Sequence, residues 1–163
     1  MSIRAGAISG VQTETKSLDD SLLVVEFLLG TEKYAIDSSF VKEVLSFRKL
    51  TRVPGTPTFV AGLMNLRGKI ISVINLMSFL YQKETGISAQ NKIIVIGHQH
   101  MEFGFVVHEI LGTKLQDIRS LCIPPVTEHR SGDDYILGLA PAGITILDAD
   151  SILSDDKIII NQK

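Results

Sequence analysis

The chain has 163 residues, which is enough for one domain or for two small subdomains that share a core. Hydrophobic residues make up 45% and charged residues 21%, and the net charge is -2 with the basic residues dispersed, so we expect no nucleic-acid partner. Arg67 and Lys69 interrupt the longest apolar stretch. It falls short of the roughly 20 residues needed to span a bilayer, and we expect no membrane insertion.

The N-terminal residues 1–20 are polar and lack the basic start and sustained apolar core of a secretory signal. We therefore expect them to form a flexible tail. Cys122 is the only cysteine, so no disulfide can form within the chain. A single free thiol fits a reducing compartment, and we expect a cytoplasmic protein.

The first predicted elements are a hairpin and a short helix. The apolar run 21–29, the turn 30–33 and the run 34–36 predict two antiparallel strands. Asp37 is a helix-capping residue, and the apolar side chains that follow it have helical spacing. They predict a short helix that carries Glu43, with the apolar residues Phe40, Val41, Val44 and Leu45. Residues 46–53 are expected to be extended up to Pro54.

The central segment 53–76 predicts a hairpin with one charged turn. A Pro/Gly turn leads into an apolar strand, the turn Arg67-Gly68-Lys69 reverses the chain, and a second apolar strand follows. None of these residues looks like a nucleophile, a general base or a metal ligand. We interpret the segment as a structural hairpin that presents a recognition feature. A short helical turn is predicted at 76–82.

The second half of the chain continues the pattern of short strands, which predicts small β-barrels rather than a parallel sheet. Residues 59–63 resemble 135–139, and 73–76 resemble 146–149, which indicates two similar subdomains. The second hairpin is about three residues shorter than the first and has Pro141-Ala142-Gly143 where the first has its charged turn. The remaining predicted segments are strands at 92–97, 103–107 and 109–118 and a polar connection at 124–134.

The central hairpin and its flanking strands resemble the CheW family, the adaptor proteins of bacterial chemotaxis. The most specific motif is Asn65-Leu66-Arg67-Gly68, and the resemblance covers about residues 21–153. It implies an all-β fold in which two small SH3-like five-stranded barrels, with short helices, pack about a common core. The chain then divides into an N-terminal tail (1–20), a CheW-like domain of two intertwined barrel subdomains (21–153) and a C-terminal tail (154–163). The resemblance also rests on Val53-Pro54, Phe59-Val60-Ala61-Gly62-Leu63-Met64, Val73-Ile74-Asn75-Leu76, Tyr34-Ala35-Ile36-Asp37, Val41-Lys42-Glu43-Val44, Phe105-Val106-Val107-His108-Glu109-Ile110 and Tyr135-Ile136-Leu137-Gly138-Leu139.

The resemblance implies a non-enzymatic adaptor, without a cofactor, that couples a methyl-accepting chemoreceptor to a histidine kinase in a signalling array. The receptor's cytoplasmic helical tip would dock in a groove between the subdomains, and the kinase's regulatory domain would contact the first barrel. Such a groove suits a partner helix, which inserts an apolar stripe. The candidate receptor-groove residues are Val41, Glu43, Val44, Asn65, Leu66, Arg67 and Val106.

Arg67 and Glu43 are a candidate ion pair within this groove. The connection from the predicted helix through a strand into the hairpin is able to bring Glu43 to Arg67, where a bidentate pair would fix the shape of the groove. The residues alone leave open a solvated turn arginine without a partner. The resemblance favours the pair, because both residues lie in its motifs.

Three other features bear on chemistry. His98 and His100 lie two residues apart, but in a predicted turn without the four ligands that structural metal sites usually have. Cys122 and His129 have the residue types of a thiol nucleophile and its base, whereas the apolar neighbours of Cys122 favour a small buried side chain. The glycines form no phosphate-binding motif. We therefore expect no metal and no enzymatic activity.

Three alternative functions stay open at this point. The chain is alternatively an adaptor of a twitching-motility or other chemosensory circuit, a small hydrolase that uses Cys122, or a ligand-sensing domain with a pocket between the barrels. Thiol-reactive probes test the hydrolase, and thermal shift against metabolites tests the ligand-sensing domain. The strand-like residues 157–160 are expected to pair with an exposed sheet edge or with another chain.

Overall fold

Ten β-strands dominate the computed structural model, which describes residues 20–82, 85–123, 135–156 and 158. Within these ranges, two short α-helices each follow the second strand of a hairpin: α1 (Leu76–Tyr81) and α2 (Ala149–Leu153). Short 3-10 turns cover Ser38–Phe40 and Ile118–Ser120. The strands are, in chain order, β1 (Ser21–Leu29), β2 (Glu32–Asp37), β3 (Val41–Ser46), β4 (Val60–Leu66), β5 (Lys69–Asn75), β6 (Lys92–His98), β7 (Met101–Val107), β8 (Glu109–Asp117), β9 (Ile136–Leu139) and β10 (Thr145–Leu147).

The strands form two five-stranded sheets with the orders β8-β1-β2-β10-β9 and β3-β6-β7-β5-β4. In each sheet, the segment that follows one edge strand crosses to the other edge. Thr51 exchanges backbone hydrogen bonds of 2.9 and 2.8 Å with Leu63, and Cys122 exchanges bonds of 2.9 and 2.7 Å with Leu139. We call the strands β1, β2, β8, β9 and β10 the first barrel and β3 to β7 the second barrel. The predicted pair of five-stranded barrels with short helices is confirmed.

The two barrels repeat one arrangement, as the internal similarity of the sequence predicts. Gly62 and Gly138 occupy the same register position in the β4–β5 and β9–β10 hairpins. A Cβ atom on Gly62 would lie 2.7 Å from the carbonyl oxygen of Thr51, and one on Gly138 would lie 2.9 Å from Cβ of Leu121. The crossing segment therefore approaches each hairpin so closely that only glycine fits.

The two hairpins also end alike. The side chain of Asn75 accepts a hydrogen bond from the Ser78 N–H at 3.4 Å and caps α1, and that of Asp148 accepts one from the Ser151 N–H at 3.3 Å and caps α2. In both barrels, a polar capping residue directly after a buried strand starts a short helix. The similarity of residues 73–76 to 146–149 thus reflects a repeated strand-to-helix junction.

Three clusters of buried side chains hold the fold together. The shared core lies between the barrels and includes both helices, whereas the other two clusters fill one barrel each. The shared core comprises Val25, Phe27, Leu29, Tyr34, Ile36, Val60, Ile74, Leu76, Phe79, Leu80, Ile94, Ile96, Phe103, Phe105, Val107, Tyr135, Leu147, Ala149, Ile152, Leu153 and Ile158. The second-barrel interior comprises Met64, Leu66, Ile71, Val73, Ile93, Val95 and Val106. The first-barrel interior comprises Val24, Ala35, Ala140, Ile144 and Ile146.

The helix predicted around Val41 is wrong. Asp37 does cap a turn, because its carboxylate accepts a hydrogen bond from the Ser39 N–H at 2.9 Å. That turn ends at Phe40, however, and Val41–Ser46 is strand β3, paired with β6. Four apolar residues are too few to separate a helical from an extended pattern, and the ladder with β6 decides the conformation.

The chain ends are described only in part. Within the predicted N-terminal tail, 1–19 lie outside the described residues, as do the predicted connection 124–134 and most of 157–160. Ile158 is buried in the shared core, and the Tyr135 hydroxyl is hydrogen-bonded to Asp155. Core contacts therefore extend beyond residue 153, although the division of the chain at that residue stays a prediction. Among the described residues, no helix is long and apolar enough to cross a membrane.

Candidate protein-docking site

The charged turn of the central hairpin is a tight two-residue turn. Leu66 and Lys69 are the last paired residues of β4 and β5, and Arg67 and Gly68 between them have φ values of 52° and 83°. Positive φ at both central positions matches the twist of a β-hairpin. The Oδ1 atom of Asn65 accepts a hydrogen bond from the Gly68 N–H at 2.9 Å. This bond fixes the turn and holds Arg67 at the end of the second barrel.

Arg67 forms a bidentate ion pair with Glu43, which joins the two edge strands β4 and β3. Nη2 donates to Oε1 at 3.0 Å, and Nη1 donates to Oε2. The Arg67 side chain is 74% exposed and that of Glu43 is 22% exposed, so the carboxylate is the more enclosed partner. The hydrogen bond from Arg67 lowers the pKa of Glu43, and the carboxylate in turn raises the pKa of Arg67. The predicted pair is confirmed, and the solvated arginine without a partner is wrong.

A second ion pair continues this row of charges. Nζ of Lys69 on β5 lies 3.1 Å from Oε1 of Glu102 on β7. Glu102 also contributes to the raised pKa of Arg67, and the charge of Arg48 contributes to the lowered pKa of Glu43. We call Glu43, Arg67, Lys69 and Glu102 the charged rim. The Lys69–Glu102 pair was absent from the sequence prediction, because only the fold brings β5 beside β7.

Val41 and Val44 lie on the face of the second barrel that is directed toward the first. They pair with Ile96 and Ile94, which both belong to the shared core, because a bulge at Lys42 shifts the register by one residue. Val41 is half-buried, and Val44 is 42% exposed. Both valines are therefore partly accessible on this face, and their place in a groove between the barrels stays a prediction.

Ile70 is an exposed apolar residue that the sequence did not single out. It pairs with Asn65 across the β4–β5 ladder and is 60% exposed. It lies four positions before Ile74 on β5, which places both side chains on the face directed toward the shared core. A continuous apolar run does not show where a strand leaves the core, so the sequence does not distinguish Ile70 from the buried residues of β5. We call Val41, Val44, Asn65 and Ile70 the groove face.

Two predicted groove residues lie inside the second barrel instead. Leu66 is 9% exposed and Val106 is 4% exposed, and both belong to the second-barrel interior. Leu66 is the last residue of β4 before the charged turn, and Val106 lies on β7. A direct contact of Leu66 or Val106 with a partner is therefore not supported, because neither side chain reaches the surface.

The structure describes some of the residues that were considered for chemistry. Cys122 is exposed, so the predicted burial of this residue is wrong. His129, its predicted base, lies outside the described residues. The His98 ring packs against Phe40 with a centroid distance of 5.5 Å. Within the ranges that the structure describes, no three His, Cys, Asp or Glu side chains are grouped to hold a metal ion.

Two adjoining depressions lie along the loop before β4. Their volumes are about 410 and 440 Å³, and both are lined by Arg52, Thr58, Val60 and Ala61. The rest of the lining comes from the same loop, the β5–α1 junction and residues 85–87. Neither depression is the pocket between the barrels that the ligand-sensing alternative requires.

Comparisons with known proteins identify the family. The CheW-like domain family matches residues 23–157. The chain is 35% identical over 86 residues to the chemotaxis protein CheW of Bacillus subtilis (strain 168), a match that spans 53% of this chain and only 55% of that protein. It is 26% identical over 150 residues to the chemotaxis protein CheW of Treponema pallidum (strain Nichols), and this match spans 86% of each chain.

A solved structure shares the arrangement of the two barrels. The scaffolding protein TtCheW from Thermoanaerobacter tengcongensis superposes with a TM-score of 0.68 at 30% sequence identity, over 77% of this chain and 83% of that chain. Because the family match covers most of the residues and the fold is the same, the chain belongs to the CheW-like family.

Proposed function

We propose that the protein is a non-enzymatic adaptor that couples methyl-accepting chemoreceptors to a histidine kinase in a chemotaxis array. The observation that carries the proposal is the bidentate Glu43–Arg67 pair beside the exposed Val44 and Ile70. A charged rim next to exposed apolar side chains combines the two features that a docking surface for an amphipathic helix needs. Membership of the CheW-like family supports the same assignment.

The receptor's cytoplasmic helical tip would lie on the groove face, with its apolar stripe against Val44 and Ile70. The charged rim would contact the polar flank of that helix and fix its position along the groove. Arg67 is suited to this role, because its guanidinium is already oriented by Glu43 and loses little freedom on binding. The rim would thus contribute specificity, and the groove face would contribute apolar area.

The kinase's regulatory domain would contact the first barrel. Leu23 on β1 and Leu115 on β8 are directly paired and are 45% and 60% exposed. Two adjacent exposed leucines on an edge strand and its neighbour are a feature of protein-binding surfaces. An adaptor with one partner on each barrel holds the two partners in a fixed arrangement. It would transmit the state of the receptor to the kinase only if its contacts with the kinase differ between the receptor's states.

A reconstitution tests this function with purified components: receptor signalling fragments on vesicles, the histidine kinase of the same organism and this chain. We expect the kinase to sediment with the vesicles, and its autophosphorylation to depend on the receptor, only when the chain is present. Equal sedimentation of the kinase with and without the chain would refute the adaptor role.

A further inference from the structure

The first barrel has a corner that corresponds to the Glu43–Arg67 corner of the second. Each barrel has a ladder with a one-residue bulge, β3–β6 in the second and β8–β1 in the first. Directly beside the bulge, Glu43 pairs with Val95 in the second barrel, and Gly112 pairs with Glu26 in the first. The repeat therefore places Gly112 where the second barrel has Glu43, and Glu26 where it has the fully buried Val95.

Glu26 is a half-buried acid that has no ion-pair partner among the described residues. It pairs with Ala35, which is 0% exposed, and its side chain is on the same face as Val24 in the first-barrel interior. Its Oε2 atom is buried and accepts no hydrogen bond, and Glu26 forms no ion pair with any residue that the structure describes. A buried carboxylate oxygen without a hydrogen bond destabilises a fold, so its presence calls for an explanation.

Within the part of the chain that the structure describes, the first barrel has no cation paired at this corner, where the second barrel has Arg67. The turn between β9 and β10, Pro141-Ala142-Gly143, has no counterpart of Arg67. Lys33 and Lys114 are on the same face as Glu26, since they pair with its neighbours two positions away, but both are exposed and neither forms an ion pair with it.

The corner is open to a side chain from outside. Gly112 has a φ of 134°, and a Cβ atom on it would find no other atom within 4 Å. No atom of the described residues therefore fills the space beside Gly112, opposite Glu26 in the ladder. Leu111, the bulged residue beside it, is 42% exposed and offers an apolar contact. We call Glu26, Leu111 and Gly112 the acidic corner.

We propose that the acidic corner accepts a lysine or arginine side chain of the protein that docks on the first barrel, with Glu26 as its counter-ion and Leu111 as its apolar support. The partner's basic side chain thereby pairs with Glu26 as Arg67 pairs with Glu43 within the chain. This inference rests on the proposed function, which makes the kinase's regulatory domain the occupant. The chemistry required of that domain is an exposed basic residue next to an apolar one.

The variants Glu26→Gln and Glu26→Val test the proposal. Glutamine removes the charge and keeps the size, and valine is the residue that the second barrel has at this position. Because each removes a buried carboxylate without a partner, we expect both variants to fold and their Tm to rise by about 2–4 °C. The affinity for the purified kinase regulatory domain is expected to fall about tenfold or more, and the loss is expected to shrink at high salt, where the wild-type pair is itself weakened.

Two measurements control for other causes. Glu109→Gln removes an exposed carboxylate from β8, the strand that pairs with β1, and is expected to leave the kinase-domain affinity within about twofold of wild type. Affinity for the receptor fragment is expected to be unchanged in all three variants. An unchanged kinase-domain affinity in both Glu26 variants, an equal loss in Glu109→Gln, or a loss confined to the receptor fragment overturns the acidic corner. Unfolding of both Glu26 variants also overturns it, because an internal partner would then hold the acid. If the wild-type chain binds neither protein, the proposed function itself fails.

Discussion

Replacing Ile74 with alanine tests whether the two barrels depend on the shared core. Ile74 is 0% exposed and pairs with Val60 on β4 and with Phe105 on β7. The replacement removes three buried carbon atoms, which costs about 2.4 kcal/mol of transfer free energy at about 0.8 kcal/mol each. The cavity adds to this loss, so we expect the free energy of unfolding to fall by about 2–5 kcal/mol. In a chain of this length, that lowers Tm by roughly 4–20 °C.

Ile70→Ala is the matched control, because it makes the same change on the same strand. Ile70 is 60% exposed, so its replacement is expected to change the free energy of unfolding by less than about 0.5 kcal/mol. The chain has no tryptophan, and far-UV circular dichroism during urea denaturation is the suitable measurement.

Two results would refute the reasoning about Ile74. A loss below about 1 kcal/mol would mean that the side chain is not enclosed as the structure has it. Equal losses in both variants would mean that burial does not distinguish the two isoleucines. Ile70→Ala has a further use, since its affinity for the receptor fragment should fall while its stability is kept.

Four further experiments test the candidate site and the non-enzymatic role. Arg67→Ala removes the more exposed member of the Glu43–Arg67 pair, and we expect receptor-fragment affinity to fall about tenfold or more while Tm and kinase-domain affinity change little. The double variant with Glu43→Ala and Arg67→Ala should lose less receptor-fragment affinity than the sum of the two single losses. Strictly additive losses would dismiss a joint role of the two residues in binding. Cys122→Ser should keep full partner binding and signalling, because the backbone of Cys122 makes the contacts with Leu139; a folded variant without signalling would contradict a non-enzymatic role. The lowered pKa of Glu43 predicts that the pair is intact above the ordinary value of 4.5 and is lost as the pH falls through the lower folded-state value. An NMR titration of the Glu43 carboxyl should therefore show a lower midpoint in the wild type than in Arg67→Ala, and equal midpoints would refute the cause of the shift.

The sequence predicted those features that leave a local pattern. The glycines at 62 and 138 and the caps Asn75 and Asp148 recur at matching positions, because each barrel needs a close backbone approach and a strand-to-helix junction. The Glu43–Arg67 pair was also predicted, from the order of the elements and the family resemblance. The helix that was expected to carry Glu43 is a strand, but the edge position of that strand still brings Glu43 to the turn.

The remaining features depend on how strands from distant parts of the chain are placed. Leu66 and Val106 were predicted as groove residues, yet the alternation along β4 and β7 directs their side chains inside the second barrel. Cys122 lies between two apolar residues but is exposed, since it belongs to a crossing segment that contributes its backbone to β9. Glu26 lies within the apolar run 21–29, and only the structure shows that its Oε2 atom is buried without a hydrogen bond.

The order of strands along the chain has a consequence for synthesis on the ribosome. The second barrel is built from consecutive strands, β3 to β7, and can close as soon as β7 has emerged. The first barrel must wait, because Val25 on β1 pairs with Thr113 on β8, 88 residues later. During this interval β1 and β2 have no β8, β9 or β10 beside them, and their apolar residues have only the finished second barrel to pack against. The nascent chain is therefore most exposed to aggregation between the emergence of β2 and that of β8, and a chaperone that binds apolar strands would act in that window.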